Sequence, residues 1–198
     1  MAAARDLLAA AAAVLTAQMQ QVRPAVWVRP LGAEHWAVLA VKALKGAQYD
    51  LVYGVSCAWV PHVEGDALRW HRTPRRPRLD LWEDHFTAVA PARRWVTGLH
   101  GRRTASKQAA GLAQQVSERA PAWWSTVSSP EGILEEARRQ AAAPLQVHSP
   151  PPRYVAAFTL ARLGELAAAE EELASVTELS HDLRAQASLR LRQLAPGA

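Results

Sequence analysis

The stretch that decides the fold runs from Ala47 to Trp82 and begins with QYDLVYGVSCAWVP, from Gln48 to Pro61. This run is rich in β-branched, aromatic and small apolar residues, which predicts a long β-strand. It leads into LRWHRTPRRPR, from Leu68 to Arg78, the densest cationic segment of the chain. The sequence therefore predicts a sheet beside a basic hairpin that also carries an indole ring.

The long strand has two unlike faces. Its bulky side chains alternate along one face, and small ones occupy the other: Tyr49, Leu51, Tyr53, Val55, Cys57 and Trp59 against Val52, Gly54, Ser56, Ala58 and Val60. The side chains of both faces are predicted to be buried, so we expect the strand to lie in the centre of the sheet. The small face would let a helix approach closely.

The remaining pattern predicts an α+β fold. Apolar spacing indicates a helix from Ala2 to Val22, before Pro24. Short links with Gly and Pro favour antiparallel neighbours. The strands are predicted at Ala25–Arg29, Trp36–Leu44, Tyr49–Val60 and Leu68–Thr73, with a further one at Leu79–Trp82. We expect an antiparallel sheet of four to five strands with the N-terminal helix packed on it, followed by a helical C-terminal half.

In that C-terminal half, one helix is predicted at Thr104–Arg119, before Pro121, and another opens at Pro130 with Ser129 as its cap. Ser149-Pro150-Pro151-Pro152 marks a break. A helical hairpin around Gly164 (Arg153–Leu163 and Glu165–Leu179) and a final helix capped by Ser180 follow. The hairpin resembles a single tetratricopeptide-type unit, which must dock on the sheet to bury its apolar face. The predicted domains are 1–90, a sheet domain, and 91–198, a helical region with a break at 149–152.

Positive charge is concentrated in the middle of the chain. The 198 residues carry a formal net charge of +5, with twenty Arg and three Lys. Two segments hold five cations each and no acid: Arg69 to Arg78 and Arg93 to Lys107. The Arg-rich, Ala-rich composition is typical of a GC-rich bacterial genome, so total charge alone does not identify a ligand.

Cysteine content and N-terminal hydropathy predict a cytoplasmic protein. The single cysteine, Cys57, excludes an intramolecular disulfide and a Cys-based zinc site. The apolar run from Leu7 to Leu15 is shorter than a membrane span and follows Asp6 directly. We expect no membrane association.

The basic segments are the candidate binding surface. Arg forks contact phosphate or carboxylate in bidentate fashion, and Trp70 offers a ring for stacking. A solvated loop, kept from strand pairing by Pro74 and Pro77, is the alternative. Because Trp70 alternates with Arg69 and His71 along a strand, the alternative position of its ring is in the core. Burying both rings of the adjacent pair Trp123-Trp124 is difficult. One ring is therefore expected to be exposed for a partner protein or a second copy of this chain. The candidate binding residues are Arg69, Trp70, His71, Arg72, Arg75, Arg76, Arg93, Arg94, Arg102, Arg103, Trp123 and Trp124.

Three functions follow from these residues. The first is a cytoplasmic bacterial binding or adaptor protein whose basic hairpin engages an acidic protein surface or a phosphate-bearing ligand. The second is nucleic-acid binding by the 69–78 and 93–107 patches, with steep salt dependence. The third, an enzyme using His62, His71 and an Asp, lacks diagnostic spacing among His62, His71, His85, His100, Asp66, Asp80 and Asp84. No cofactor or metal motif is present, and no Walker pattern.

Four short segments also carry a resemblance. Lys45-Gly46-Ala47-Gln48-Tyr49, Gly54-Val55-Ser56, Trp59-Val60-Pro61-His62 and Trp70-His71-Arg72-Thr73 resemble the core of an uncharacterised bacterial domain family of unknown function, over Trp27 to Trp82. The resemblance implies a small α+β domain and supplies no catalytic residues. It directs attention to one surface: Pro61, His62, Trp70, His71, Arg72 and Thr73.

Overall fold

The computed structural model describes residues 2–43, 48–70, 73–83, 96–97, 102–143 and 150–195. Its helices are α1 (Ala2–Ala13), α2 (Arg102–Thr126), α3 (Pro130–Ala141), α4 (Pro152–Arg162), α5 (Leu166–Ala174) and α6 (His181–Leu194). Its strands are β1 (Gln20–Arg23), β2 (Val26–Pro30), β3 (His35–Ala43), β4 (Gln48–Cys57), β5 (His62–Glu64), β6 (Ala67–Arg69), β7 (Leu81–Trp82) and β8 (Val96–Thr97).

Strand β4 is the centre of the antiparallel sheet. One edge pairs with β3, and the other pairs with β7 near Gly54 and with β8 near Gln48. Strands β2 and β1 extend the sheet beyond β3. The α+β prediction is confirmed, with an antiparallel sheet, an N-terminal helix packed on it and a helical C-terminal half.

The bulky face of β4 belongs to the main core, and on its small face residues 79–82 fill the space beside Gly54. Leu51, Tyr53 and Val55 are fully buried in the main core. On the opposite face, a Cβ placed on Gly54 would lie 2.2 Å from the carbonyl oxygen of Leu81 in β7. The prediction of a central strand is confirmed. The expectation that a helix approaches the small face is wrong at Gly54, because β7 occupies that space.

The N-terminal helix is shorter than predicted. Helix α1 ends at Ala13, a 3-10 turn spans Val14–Thr16, and the chain then enters β1 at the sheet edge. The Thr16 side chain hydrogen-bonds to the carbonyl of Ala13, and the Met19 amide to that of Thr16, which turns the chain out of the helix. The predicted end at Val22 is therefore wrong, since Val22 lies in β1.

The basic segment forms a ribbon outside the main sheet. Strands β5 and β6 pair only with each other among the described strands. Of the strand predicted at Leu68–Thr73, β6 ends at Arg69, and residues 71–72 lie outside the described ranges. At the outer edge of β6, the Leu68 amide donates a hydrogen bond to the side chain of Gln186 on α6.

The helical half follows the predicted caps but not the predicted end of α2. Ser129 caps α3 by accepting from the Gly132 amide, Pro130 takes the first helical position, and Ser180 caps α6. Helix α2, however, continues through Pro121 to Thr126. The missing Pro121 amide is tolerated because the buried residues beyond it dock the last turn into the core.

The two halves of the chain share one hydrophobic core. Trp59, after β4, donates from Nε1 to the Thr159 hydroxyl on α4 at 3.2 Å, and the Tyr154 hydroxyl donates to the Pro61 carbonyl at 3.0 Å. The α4–α5 hairpin turns at Gly164, with a φ of 89° that favours glycine. It docks on the sheet half as predicted, while the domain boundary near residue 90 stays a prediction. None of the helices in the described ranges is both long and apolar enough to cross a membrane.

Candidate functional site

A two-part cleft opens where the sheet half meets the helical half. Its two cavities have volumes of about 660 and 670 Å³ and share Arg23, His62 and Arg78 as lining residues. We call them the cationic cavity and the aromatic cavity, and together the cleft. Sites for small ligands commonly have this size and lie between structural units.

The cationic cavity gathers side chains from three separate parts of the sequence. Arg23 comes from β1, His62 and Arg69 from the β5–β6 ribbon, and the rest from the loop before β7. The lining residues are Arg23, His62, Glu64, Arg69, Arg75, Arg76 and Arg78. Among the residues that the structure describes, five guanidinium groups and a single carboxylate therefore line this cavity.

Backbone hydrogen bonds fix the loop that carries three of these arginines. The Arg76 amide donates to the Thr73 carbonyl in a tight turn, and the Arg78 amide donates to the Ser56 hydroxyl on β4. Pro77 is buried between them, and its carbonyl accepts a hydrogen bond from Arg23 at 3.1 Å. The prolines thus position the arginines and do not merely discourage strand pairing.

Counting only the residues that the structure describes, the positive charge of the cationic cavity is largely uncompensated. Glu64 lies 3.7 Å from Nε of Arg69 and 3.8 Å from Nε2 of His62, but its side chain is 63% exposed. Ion pairs this exposed contribute little. Within the described ranges, no carboxylate pairs with Arg75, Arg76 or Arg78. Concave surfaces with charge of one sign concentrate the field and attract counter-ions.

The aromatic cavity combines apolar and aromatic side chains with charged ones. The ring of half-buried Trp82 has Nζ of Lys42 5.0 Å from its centroid, and the Trp82 carbonyl accepts a hydrogen bond from Gln140. Helices α4 and α6 close the opposite side. The residues that line only this cavity are Lys42, Val63, Pro77, Leu79, Trp82, Pro150, Pro151, Tyr154, Glu178, Leu179 and Leu183.

The structure brings together Arg69, Arg75 and Arg76 but places Trp70 elsewhere. The Trp70 ring packs edge-on against Phe158, with centroids 6.1 Å apart, and the guanidinium of Arg190 lies over it at 5.5 Å. The expectation that Trp70 offers a stacking surface beside the arginines is wrong. Strand alternation after Arg69 turns its indole towards α4 and α6.

Trp123 and Trp124 are both buried, so the expectation of an exposed ring is also wrong. Each is only 7% exposed. Nε1 of Trp123 donates to Glu136 on α3 at 3.1 Å, and Nε1 of Trp124 donates to the Gly54 carbonyl on β4 at 3.0 Å. Because α2 continues past Pro121, the two rings reach different partners inside the fold.

Of the other predicted site residues, only Arg103 has a described side chain, and it does not line the cleft. Arg103 is exposed on α2, and the Arg102 side chain lies outside the described part of the structure. His71, Arg72, Arg93 and Arg94 also lie outside the described residues. Of the surface implied by the resemblance, His62 lines the cleft, whereas Pro61 is buried.

Sequence reasoning missed Arg23 and Lys42 entirely. Arg23 falls between the predicted N-terminal helix and the first predicted strand, and Lys42 falls near the end of a predicted strand; neither carries a local signal. Their place beside the basic loop depends on tertiary contacts, such as the hydrogen bond from Arg23 to the Pro77 carbonyl, 54 residues away. Arg78 and Trp82 were within the segment of interest but were not singled out.

The described residues hold no group of three or more His, Cys, Asp or Glu side chains arranged to bind a metal ion. Asp80 is buried and accepts the Cys57 amide at 2.7 Å, while His62 lies beside Glu64. His71, His85, His100 and Asp84 lie outside the described residues.

Comparison of this chain with protein-family models, with curated proteins and with solved structures gives no match. The family resemblance therefore stays a prediction, and the functional argument depends on the cleft itself.

Proposed function

We propose that this protein binds a phosphate-bearing ligand in the cleft, with the phosphate groups in the cationic cavity. The observation that carries the proposal is the set of five arginines that line one cavity with one exposed carboxylate, counted over the described part of the chain. Arg forks form charge-assisted, often bidentate hydrogen bonds to phosphate oxygens. Cys57 is a buried free thiol, which is consistent with a reducing compartment, so a cytoplasmic location belongs to the same proposal.

A phosphate group suits this site better than a flat acidic protein surface. The cationic charge lies within a cavity of about 660 Å³, where side chains from three segments surround a small volume. A folded protein surface would reach the exposed ends of Arg75 and Arg76 but would not fill the space between them and Arg69. A compact, multiply charged group can contact several of these arginines at once.

The test is calorimetric titration with inorganic tripolyphosphate. We expect the double variant Arg75→Glu with Arg76→Glu to bind at least about tenfold more weakly than the unmodified protein, because hydrogen bonds to charged groups contribute about 1.5–3 kcal/mol each. The matched control is Arg103→Glu with Lys107→Glu. It makes the same change in charge on an exposed face of α2 that does not line the cleft.

The control also separates this proposal from nucleic-acid binding by both basic patches. Equal loss of tripolyphosphate binding in the two double variants would mean that net charge alone attracts the anion, and the proposal would be wrong. Titration with single-stranded DNA at several salt concentrations completes the comparison. A steep salt slope, together with loss of DNA binding in the α2 variant, would favour nucleic acid.

A further inference from the structure

The aromatic cavity continues directly from the cationic cavity. The two share Arg23, His62 and Arg78, so a ligand anchored by phosphate among the arginines can extend past Arg78 without leaving the cleft. A bare phosphate would occupy only the cationic part. The remaining volume of about 670 Å³ therefore indicates what else the ligand carries.

Flat and apolar side chains line this second part. Trp82 contributes an indole with the Lys42 ammonium over its ring, and Pro77 and Pro150 contribute rings. Leu179, just before α6, and Leu183 in α6 close the opposite side. Leu179 and Leu183 are each 9% exposed, so both are held by the core and have little freedom to move. Such a lining fits a planar ring, because a ring buries its faces without many rotatable bonds to immobilise.

Two charged groups at the same cavity favour a heterocycle over an alkyl chain. The Lys42 ammonium is a hydrogen-bond donor, and the Glu178 carboxylate is an acceptor; both line the aromatic cavity. A hydrocarbon tail would desolvate these groups without replacing their hydrogen bonds to water. A heterocycle with ring nitrogens and amino or carbonyl substituents offers partners to both.

We infer that the ligand is a phosphate ester of a heteroaromatic compound, as in a nucleotide, with its phosphates in the cationic cavity and its ring in the aromatic cavity. The inference rests on the proposed function and adds the chemical class of the ligand. The same chemistry is found in a free nucleotide and in a terminal nucleotide of a nucleic acid strand.

The test compares ligands by calorimetry at fixed salt: tripolyphosphate, the four ribonucleoside triphosphates, decyl phosphate and a 5′-phosphorylated single-stranded octanucleotide. At least one ribonucleoside triphosphate is expected to bind about tenfold more tightly than tripolyphosphate, the size of a typical ring contribution. Trp82→Leu should abolish that difference, so that the ribonucleoside triphosphate and tripolyphosphate bind the variant equally. Glu178→Gln, at an exposed position, should reduce it severalfold without risk to folding, and Glu171→Gln is the matched control.

The outcomes separate the two proposals. Equal binding of tripolyphosphate and all four ribonucleoside triphosphates would overturn the ring inference and leave the proposed function intact. Tighter binding of decyl phosphate would overturn it in favour of an alkyl phosphate. Binding of the octanucleotide alone, with the same loss in Trp82→Leu, would support the inference and identify nucleic acid as the source. Failure of every phosphate compound to bind would remove both proposals.

Discussion

Gly54 is the residue at which the sheet tolerates least change. A Cβ there would lie 2.2 Å from the Leu81 carbonyl oxygen and 2.9 Å from Cβ of Trp82, and the backbone of β7 cannot yield as a flexible side chain can. We predict that Gly54→Ala lowers the free energy of unfolding by at least about 2 kcal/mol, as overpacking of a core does. Urea denaturation followed by tryptophan fluorescence measures the change.

The control for this prediction is Gly111→Ala. A Cβ on Gly111, in the interior of α2, would meet nothing within 4 Å. There the substitution should raise the free energy of unfolding by about 0.5–1 kcal/mol, because alanine restricts the unfolded chain and suits a helix. Equal effects of the two substitutions would contradict the close contact between β4 and β7.

For single residues, the sequence predicts which side chains are buried better than it predicts which residues they contact. Alternation along β4 identifies Tyr53 and Val55 as core residues, and they are fully buried. It does not identify the elements against which Trp70 and Trp124 pack, because their contacts are with Phe158 and with the Gly54 carbonyl. Those partners lie many residues away, and no local pattern encodes them.

Helices α2 and α3 are joined by a buried polar network centred on Glu136. Burial alone would raise the pKa of Glu136, but hydrogen bonds from Arg139, Gln140 and Trp123 outweigh it, and the pKa lies below its ordinary value of 4.5. A carboxyl whose pKa is lower in the folded protein stabilises the fold above about pH 4.5. That stabilisation is lost as the pH falls through the folded pKa.

We therefore predict that Glu136→Gln lowers the free energy of unfolding by about 1–3 kcal/mol at pH 7, because the new amide directs its own hydrogens at groups that are themselves donors. The difference from the unmodified protein should shrink as the pH falls below about 4.5. Urea denaturation at pH 7 and at successively lower pH measures both effects. The control is Glu135→Gln at the exposed neighbouring position, which should change the free energy of unfolding by less than about 0.5 kcal/mol at pH 7. A larger change in the control would mean that loss of one negative charge, and not loss of the network, lowers stability.

Elements with local signals are predicted well, and elements that depend on the rest of the fold are not. Ser129, Pro130 and Ser180 mark helix starts through contacts within one turn, and all three lie where the sequence places them. Pro121 lies inside α2, where the sequence predicts a stop. Tertiary packing explains why the predicted stop fails, because burial of residues on both sides of Pro121 outweighs the lost backbone hydrogen bond.

The cleft is a property of the whole molecule. Arg69, Arg75 and Arg76 were predicted as one patch because they are neighbours in the sequence. Arg23 and Lys42 reach the cleft through strand pairing, and the aromatic cavity exists only because α4 and α6 pack beside the sheet. The sequence therefore indicates the charge of the site but neither its depth nor its second half.

The shared core predicts that the chain unfolds in a single cooperative step. Trp59 and Thr159 form a buried hydrogen bond between the sheet half and α4, so neither half can open without exposing the other.

Thr159→Val keeps the shape but leaves the Trp59 indole donor unpaired, which should lower the free energy of unfolding by about 1–3 kcal/mol. The exposed substitution Thr177→Val should have little effect. Urea unfolding followed by far-ultraviolet circular dichroism and by tryptophan fluorescence should give coincident curves for all three proteins, with only the Thr159→Val midpoint displaced. Two separate transitions would instead support independent domains divided near residue 90, and would show that the contact across the junction does not couple the halves.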